Sequence, residues 1–292
     1  MSVSYGVTFE TKCYENDWEY ILKTNYLNKM IENCNFNFDC RNIIINNVKQ
    51  RDVVEYYAQK KVNEKTVTAF YFVDDYIEDA LEFFGIEKES FNGGYCYSSA
   101  ELVGLYVAKT KYLLHFSGDS FLPKRDRNNW IAEACGILEN DQEIVAANPR
   151  WYEFDREWKE AKENRIGNFY LGYGFSDQCY LVKADVFRAK IYDFKHPNSE
   201  RYPKYGGELF EKRVDSYMWV NEKQRITSIN ESYIHTNFPN RPSLKIVVKI
   251  LIGINLYFWL NDFIHATKAI EILRIGRKCI RRIGKKVGMA HK

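Results

Sequence analysis

The sequence predicts an α/β fold: a mostly parallel central sheet with helices on both faces, followed by a C-terminal helical tail. Three observations carry that expectation. Short apolar runs alternate with stretches of helical period through the first half of the chain. The run Ile43-Ile44-Ile45 is β-branched throughout, as a parallel strand buried on both faces requires. The last 25 residues are strongly basic while the rest of the chain is mildly acidic.

The elements follow in order. Val7-Thr8-Phe9 opens a strand that stops near Tyr14-Glu15-Asn16, and Trp18, Ile21, Leu22, Tyr26, Met30 and Ile31 mark one face of a helix. A strand from Arg41 to Val48 ends at Asn46-Asn47, a helix spans Asp52 to Lys60, and Thr66 to Val73 is a strand closed by Asp74-Asp75. Ser98 with Glu101 three residues on reads as a capping box starting the next helix. Tyr112 to Phe116 is a buried strand, Trp130 to Leu138 a helix and Glu143 to Ala147 a short strand. Beyond it the pattern is less regular. Trp151 to Arg165 reads as a surface excursion, and Asn168 to Val182 as a glycine-containing turn and a strand. Asp185 to Tyr192 and Glu208 to Val220 read as helices, and Arg225 to His235 as a final strand.

The chain has 292 residues, enough for one large α/β domain or two small ones with a sizeable core. Its 46% hydrophobic content excludes wholesale disorder. The 22 Tyr, 19 Phe and 6 Trp suit packing and, at a site, stacking on sugar or base rings. The seven Cys form no CxxC pair, which points to free thiols in a reducing compartment. The N-terminal residues lack the basic and apolar regions of a secretory signal, so a cytoplasmic location is expected.

In parallel sheets ligands bind at the carboxyl ends of strands. The residues following each strand therefore hold the candidate site. Ser117-Gly118-Asp119 stands after the fourth strand, where a carboxylate suits Mg2+ or Mn2+ and the metal neutralises phosphate; a turn cap is the alternative. Asp74-Asp75 is a second acidic strand end, but it continues at once into an amphipathic helix that those acids would cap. Gly172-Tyr173-Gly174-Phe175-Ser176-Asp177 is a glycine-bearing loop that lets backbone approach a ligand. Glu208 and Glu211 lie three apart at a helix start, with Asp215 four residues further. Either glutamate suits a general base, or simply the helix dipole. His235 ends the last strand as a structural histidine or a metal ligand.

Strand–SxD, glycine loop, Gly-Glu at a helix start and a late His, in that order, resemble the landmarks of GT-A-fold glycosyltransferases. The N-terminal half resembles glycosyltransferase family 2 in layout, and the likeness spans about residues 5 to 236. The resemblance implies a Rossmann-like GT-A domain over residues 1–242 that moves a sugar from a nucleotide-diphosphate donor to a glycan or glycolipid acceptor, with inversion. By the same resemblance Thr11, Cys13, Tyr14, Asn46, Asn47, Ser117, Gly118 and Asp119 meet the donor nucleotide, and Gly174, Phe175, Ser176 and Asp177 meet the acceptor. Glu208 or Glu211 is the catalytic base, and Asp119 and His235 hold Mg2+ or Mn2+. Ser117 replaces the first acid of the family's DxD motif, which weakens the expected metal site. Synthesis of bacterial envelope polysaccharide or lipopolysaccharide is the process that the resemblance suggests. A nucleotidyltransferase shares the architecture but normally shows a glycine-rich loop after the first strand; Thr11 to Asn16 contains no glycine. A sugar-binding or scaffold protein without catalysis is the non-enzyme alternative.

The tail, residues 243–292, has two parts. Leu244 to Leu260 is apolar but broken by Lys245, Lys249 and Asn255, a poor spanning helix and a better interfacial or core-packed one. Residues 268–292 hold nine of the 42 Lys and Arg and one of the 39 acids, leaving 33 basic and 38 acidic residues elsewhere. Ile270, Leu273, Ile280, Ile283 and Val287 recur at helical spacing among those cations. This basic amphipathic pattern predicts peripheral binding to the inner, anionic face of a membrane; nucleic acid is disfavoured because no recognition motif accompanies the charge.

Overall fold

Four parallel strands build the first half of the sheet. β1 (Val7–Cys13) lies between β2 (Cys40–Ile45) and β4 (Tyr112–Phe116), and β3 (Ala69–Phe72) extends the sheet beyond β2. The computed structural model describes residues 5–123, 129–151 and 164–266. The excursion after Trp151 and the basic segment 268–292 fall largely or wholly outside these residues.

The second half of the sheet is mixed. β9 (Cys179–Lys183) runs antiparallel between β4 and β6 (Ile144–Trp151). β10 (Gln224–His235) runs parallel to β6 and antiparallel to β8 (Phe169–Gly172), and β7 (Arg165–Ile166) forms the edge. The expected parallel alternation thus holds through β4. Residues 165–183 then carry three short strands joined by turns, without the crossover helices that parallel neighbours need. The upper end of β10 bends to pair with the two-residue β5 (Ser120–Phe121), with His235 opposite Ser120.

Helices cover both faces. On one, α1 (Trp18–Lys23), α2 (Tyr26–Glu32), α3 (Arg51–Asn63) and α6 (Trp130–Asn140) bury Val7, Phe9, Ile43 and Ile45 of the sheet. On the other, α4 (Val73–Phe84), α5 (Tyr95–Val107), α7 (Ala184–Phe187) and α8 (Phe210–Val220) bury Ile44, Leu113 and Val182. The alternation of side chains along each strand sorts β1 between these cores. The helix expected across Trp18 to Ile31 is two helices. Thr24 adopts an extended conformation between them, and its hydroxyl accepts the Tyr26 N–H at 3.1 Å. The C-terminal pair α9 (Pro242–Gly253) and α10 (Leu256–Ala266) joins the first core through Ile252, Tyr257 and Phe258.

Two local readings are corrected. Ser98 does not cap α5, because the helix already begins at Tyr95. Ser98 Oγ instead donates to the Gly94 carbonyl (2.9 Å) and accepts the Phe210 N–H (2.8 Å), joining α5 to the start of α8. Glu101, freed from any capping role, turns inward. Glu208 and Glu211 do not share a helical face. Gly207 has φ +64°, Leu209 is an extended N-cap and the helix starts only at Phe210.

Gly104 of α5 passes directly over β1. A Cβ there would lie 2.3 Å from both carboxylate oxygens of Glu10. Gly104→Ala is therefore expected to destabilise the fold by about 1–3 kcal/mol, read as a lower urea midpoint at unchanged m-value.

Candidate functional site

The carboxyl ends of β1, β4 and β10 and the start of β9 meet at one edge of the sheet. After β4 the chain turns sharply. The Ser117 N–H donates to the Gln178 carbonyl (2.8 Å), and a Cβ on Gly118 would lie 2.5 Å from the Lys12 carbonyl. Only glycine lets these backbones approach so closely. Asp119 is thereby held against the end of β10, where its carbonyl accepts the Thr236 N–H at 2.8 Å. Its Oδ2 stands 3.1 Å from Nε2 of His235, with each side chain about a fifth exposed. The bend that pairs β10 with β5 brings together two residues 116 positions apart (119 and 235).

Lys12 lies beside this pair, on the face of β1 opposite Thr11 and Cys13. Its ammonium is ion-paired with the fully buried Glu101 of α5. Burial alone would lower its pKa, but the charges of Glu101, Asp177 and Asp119 raise it above the ordinary lysine range. Glu211, in the first turn of α8, accepts the Asp177 N–H at 3.4 Å. Burial first, and then the Asp177 charge, push its pKa up to about 9, against the pull of Lys12. The edge thus sets one lysine against Glu101, Asp119 and Asp177, an acidic excess that favours a divalent cation even with Glu211 in its neutral form.

A second buried pair lies one pleat below. His115 Nδ1 is 2.9 Å from Glu10 Oε1, both fully buried, and the His115 ring stacks on Tyr180 at 4.8 Å. Burial raises Glu10 and lowers His115, so both favour the neutral form.

Not every expected residue faces this edge. Thr11 Oγ1 is buried and donates to the Phe116 carbonyl (2.8 Å), and Cys13 is buried in the first core; strand alternation gives the site Lys12 in their place. Tyr14 is 47% exposed beside them, with its N–H on Asp17. Asn46 is buried and its amide binds the Cys96 carbonyl and Ser99 Oγ, both at 3.2 Å; Asn47 is exposed in a left-handed turn. Ser117 is buried, with Oγ 3.2 Å from Gln178 Oε1. Gly174 has φ +107°, Ser176 Oγ accepts the Gln178 N–H (3.3 Å), and Asp177 lies at the edge. Phe175 instead packs in the second core against Tyr180, Phe187 and Phe210. Glu208 is paired with Lys212 at 2.8 Å, and Lys212 also meets Glu200. Asp215 is buried and accepts from the buried Ser199 Oγ and from the exposed Arg201. Asp74 and Asp75 do not cap α4, whose N-cap is Phe72; they lie inside its first turn, and Asp75 accepts two hydrogen bonds from Arg51 of α3.

Sequence reasoning missed Lys12, Glu101 and Gln178. Glu10 and Lys12 did carry a signal, as two charges at alternate positions of a strand otherwise buried. Such charges must be paired, but their partners come from distant elements.

Asp119 and His235 suit a metal. The carboxylate oxygen suits Mg2+ or Mn2+, and the imidazole nitrogen adds a donor that a transition metal accepts. Among the described residues no three His, Cys, Asp or Glu side chains are grouped to hold one.

No family model matches the chain, and no curated protein matches its sequence. Among solved structures it is similar to GalNAc-T7 with UDP, GalNAc and Mn2+, at 8% identity and a TM-score of 0.49, over 79% of this chain and 44% of that one. It spans less than half the length of that protein. It is also similar to UDP-glucose pyrophosphorylase complexed with UDP-glucose, at 11% identity and a TM-score of 0.46, over 86% and 98% of the two chains. A third is glucosyl-3-phosphoglycerate synthase from Mycobacterium tuberculosis in complex with Mn2+, uridine-diphosphate and phosphoglyceric acid, at 10% identity and 0.43, over 85% and 78%. The chain forms an α/β domain with a central sheet in the order β3-β2-β1-β4-β9-β6-β10, helices on both faces, and Asp119 and His235 at the carboxyl ends of β4 and β10.

Proposed function

We propose that the chain is a glycosyltransferase that uses a nucleoside-diphosphate sugar. The observation that carries this reading is the meeting of Asp119, His235, Lys12 and Glu211 at one sheet edge. Lys12 is placed to neutralise the departing diphosphate, and Glu101 holds the ammonium in position. A divalent ion held by Asp119 and His235 would supply further charge neutralisation. Glu211 takes the proton from the acceptor hydroxyl as that oxygen bonds to the anomeric carbon and the bond to the diphosphate breaks. Direct displacement of this kind inverts the anomeric centre. Glu208, held by Lys212, is not the base in this scheme. Tyr14, exposed at the end of β1, suits stacking on the nucleotide base.

The acceptor is a hydroxyl of a glycan or glycolipid, and synthesis of bacterial envelope polysaccharide is the process proposed. Residues 243–292 are the membrane-associating segment in this reading, the nine cations of 268–292 matching anionic lipid in charge, with the enzyme on the cytoplasmic side.

Incubation with Mn2+ and a panel of nucleotide sugars tests the reading. The expected product is a nucleoside diphosphate from one or a few donors. Pyrophosphate-dependent formation of a nucleoside triphosphate would instead identify a nucleotidyltransferase. No consumption of any donor would leave a non-catalytic sugar-binding or scaffold protein.

A further inference from the structure

The C-terminal helices divide into two faces. On α9, Val248, Leu251 and Ile252 pack on the first core. Lys245 and Lys249 are also turned toward the protein, to the Asn16 carbonyl (3.3 Å) and to Glu19 (3.2 Å). The outer face carries Leu244, Val247, Ile250 (56% exposed) and Ile254 (63% exposed) at helical spacing, and α10 continues it with Trp259 (57% exposed). Large exposed apolar residues are the exception elsewhere on the described surface, whereas here they are contiguous over two helices. No single helix among the described residues is long and apolar enough to cross a membrane; the two helices meet at 101°. At about 1.5 Å per residue α9 reaches about 18 Å, short of a hydrocarbon core of about 30 Å. The pair therefore suits lying in a bilayer surface, with the aromatic Trp259 at headgroup level.

The attachment of this face fixes its orientation. Tyr257 OH lies 2.9 Å from Thr236 Oγ1, next to His235, and Tyr20 OH donates to the Pro239 carbonyl at 2.9 Å. Lys245 grips the loop that follows β1. The apolar face is thus fastened to the sheet edge that holds Asp119 and His235. Residues 268–292 follow it in sequence with nine cations and one acid, complementary to anionic lipid.

We propose that the outer face of α9–α10 docks on an anionic bilayer and holds the mouth of the site at headgroup level, so that the acceptor served is a saccharide anchored in that same bilayer. The naming of the acceptor rests on the glycosyltransferase reading; the docking does not.

Flotation with vesicles of phosphatidylcholine alone, or with added phosphatidylglycerol, measures docking in the full chain. Most of the protein is expected to float with the anionic vesicles. Val247→Ser/Ile250→Ser/Trp259→Ser should cut that fraction at least fivefold while leaving donor hydrolysis without vesicles unchanged. A fluorophore at Asn16→Cys, with Cys40, Cys96 and Cys279 replaced by Ser, should be quenched by headgroup-labelled lipid. The same label at Lys109→Cys, on the opposite sheet edge, should not. Wild-type protein that fails to float, a triple variant that floats equally, or quenching at 109 rather than 16 overturns the docking. For the acceptor, labelled donor is offered to vesicles carrying glycosyl diacylglycerols and polyprenyl-diphosphate saccharides, and to the same saccharides without anchors. Label in the anchored set supports the assignment; label in the free set, or in neither, overturns it. Donor hydrolysis, measured apart, reports on the transferase reading itself.

Discussion

Glu211→Gln is expected to lower sugar transfer on the order of 10²–10⁴-fold while leaving donor binding intact. Gln keeps the shape and can still accept the Asp177 N–H through its carbonyl, but it cannot take a proton. The pH dependence distinguishes this from a packing defect. With its pKa pushed up to about 9, Glu211 is mostly protonated at neutral pH in the free enzyme. Wild-type kcat/KM should therefore climb with pH, about tenfold per unit, until it levels near 9. The residual activity of the variant should lack that limb. The stability change has the opposite direction. Between the ordinary glutamate value of 4.5 and about 9, the folded state holds a proton at Glu211 that the unfolded state has released. The wild type therefore loses stability as pH rises through that window, by at most about 1.4 kcal/mol per unit. Gln carries no such titration, so the melting temperature of the variant should gain on the wild type from pH 6 to pH 9. Equal activity in the two proteins, or a pH-independent difference in melting temperature, would remove Glu211 from the base role.

Asp119→Ala should reduce turnover on the order of 10²–10³-fold, by removing both a metal ligand and the partner of His235. Thermal shift gives an independent measure. Mn2+ with a nucleoside diphosphate should raise the melting temperature of the wild type, because ligand binds only the folded state. That increment should vanish in Asp119→Ala and shrink in His235→Ala. The two losses should not add, since each variant breaks the same site. Retention of the full increment in Asp119→Ala would place metal and diphosphate elsewhere.

Much of the architecture is legible from local pattern. Tyr112–Phe116 is bounded as expected because a short, largely apolar run followed by Ser-Gly has one strand reading. Asp119 and His235 are readable as strand-end candidates for the same reason. Their approach to 3.1 Å is not, because it depends on a bend in β10 that no local signal announces. The choice between Glu208 and Glu211 turns on where α8 begins. A positive-φ glycine at 207 and an extended Leu209 move that start two residues past Glu208, a shift within the ordinary error of reading helix ends. Ser98 and Glu101 show the opposite failure. Their spacing fits a capping box, but tertiary contacts with Phe210 and Lys12 claim both side chains. The family resemblance puts Thr11 and Cys13 at the donor, whereas strand alternation sends both into the core and gives the site Lys12.

A structure of the protein with Mn2+ and a nucleoside diphosphate tests the central claim most directly. The account predicts anomalous density between Asp119 Oδ2 and His235 Nε2, diphosphate oxygens within hydrogen-bond reach of Lys12 Nζ, and the Glu211 carboxyl facing the space beyond the terminal phosphate. A nucleotide bound away from this edge, or a metal held by other side chains, would contradict it.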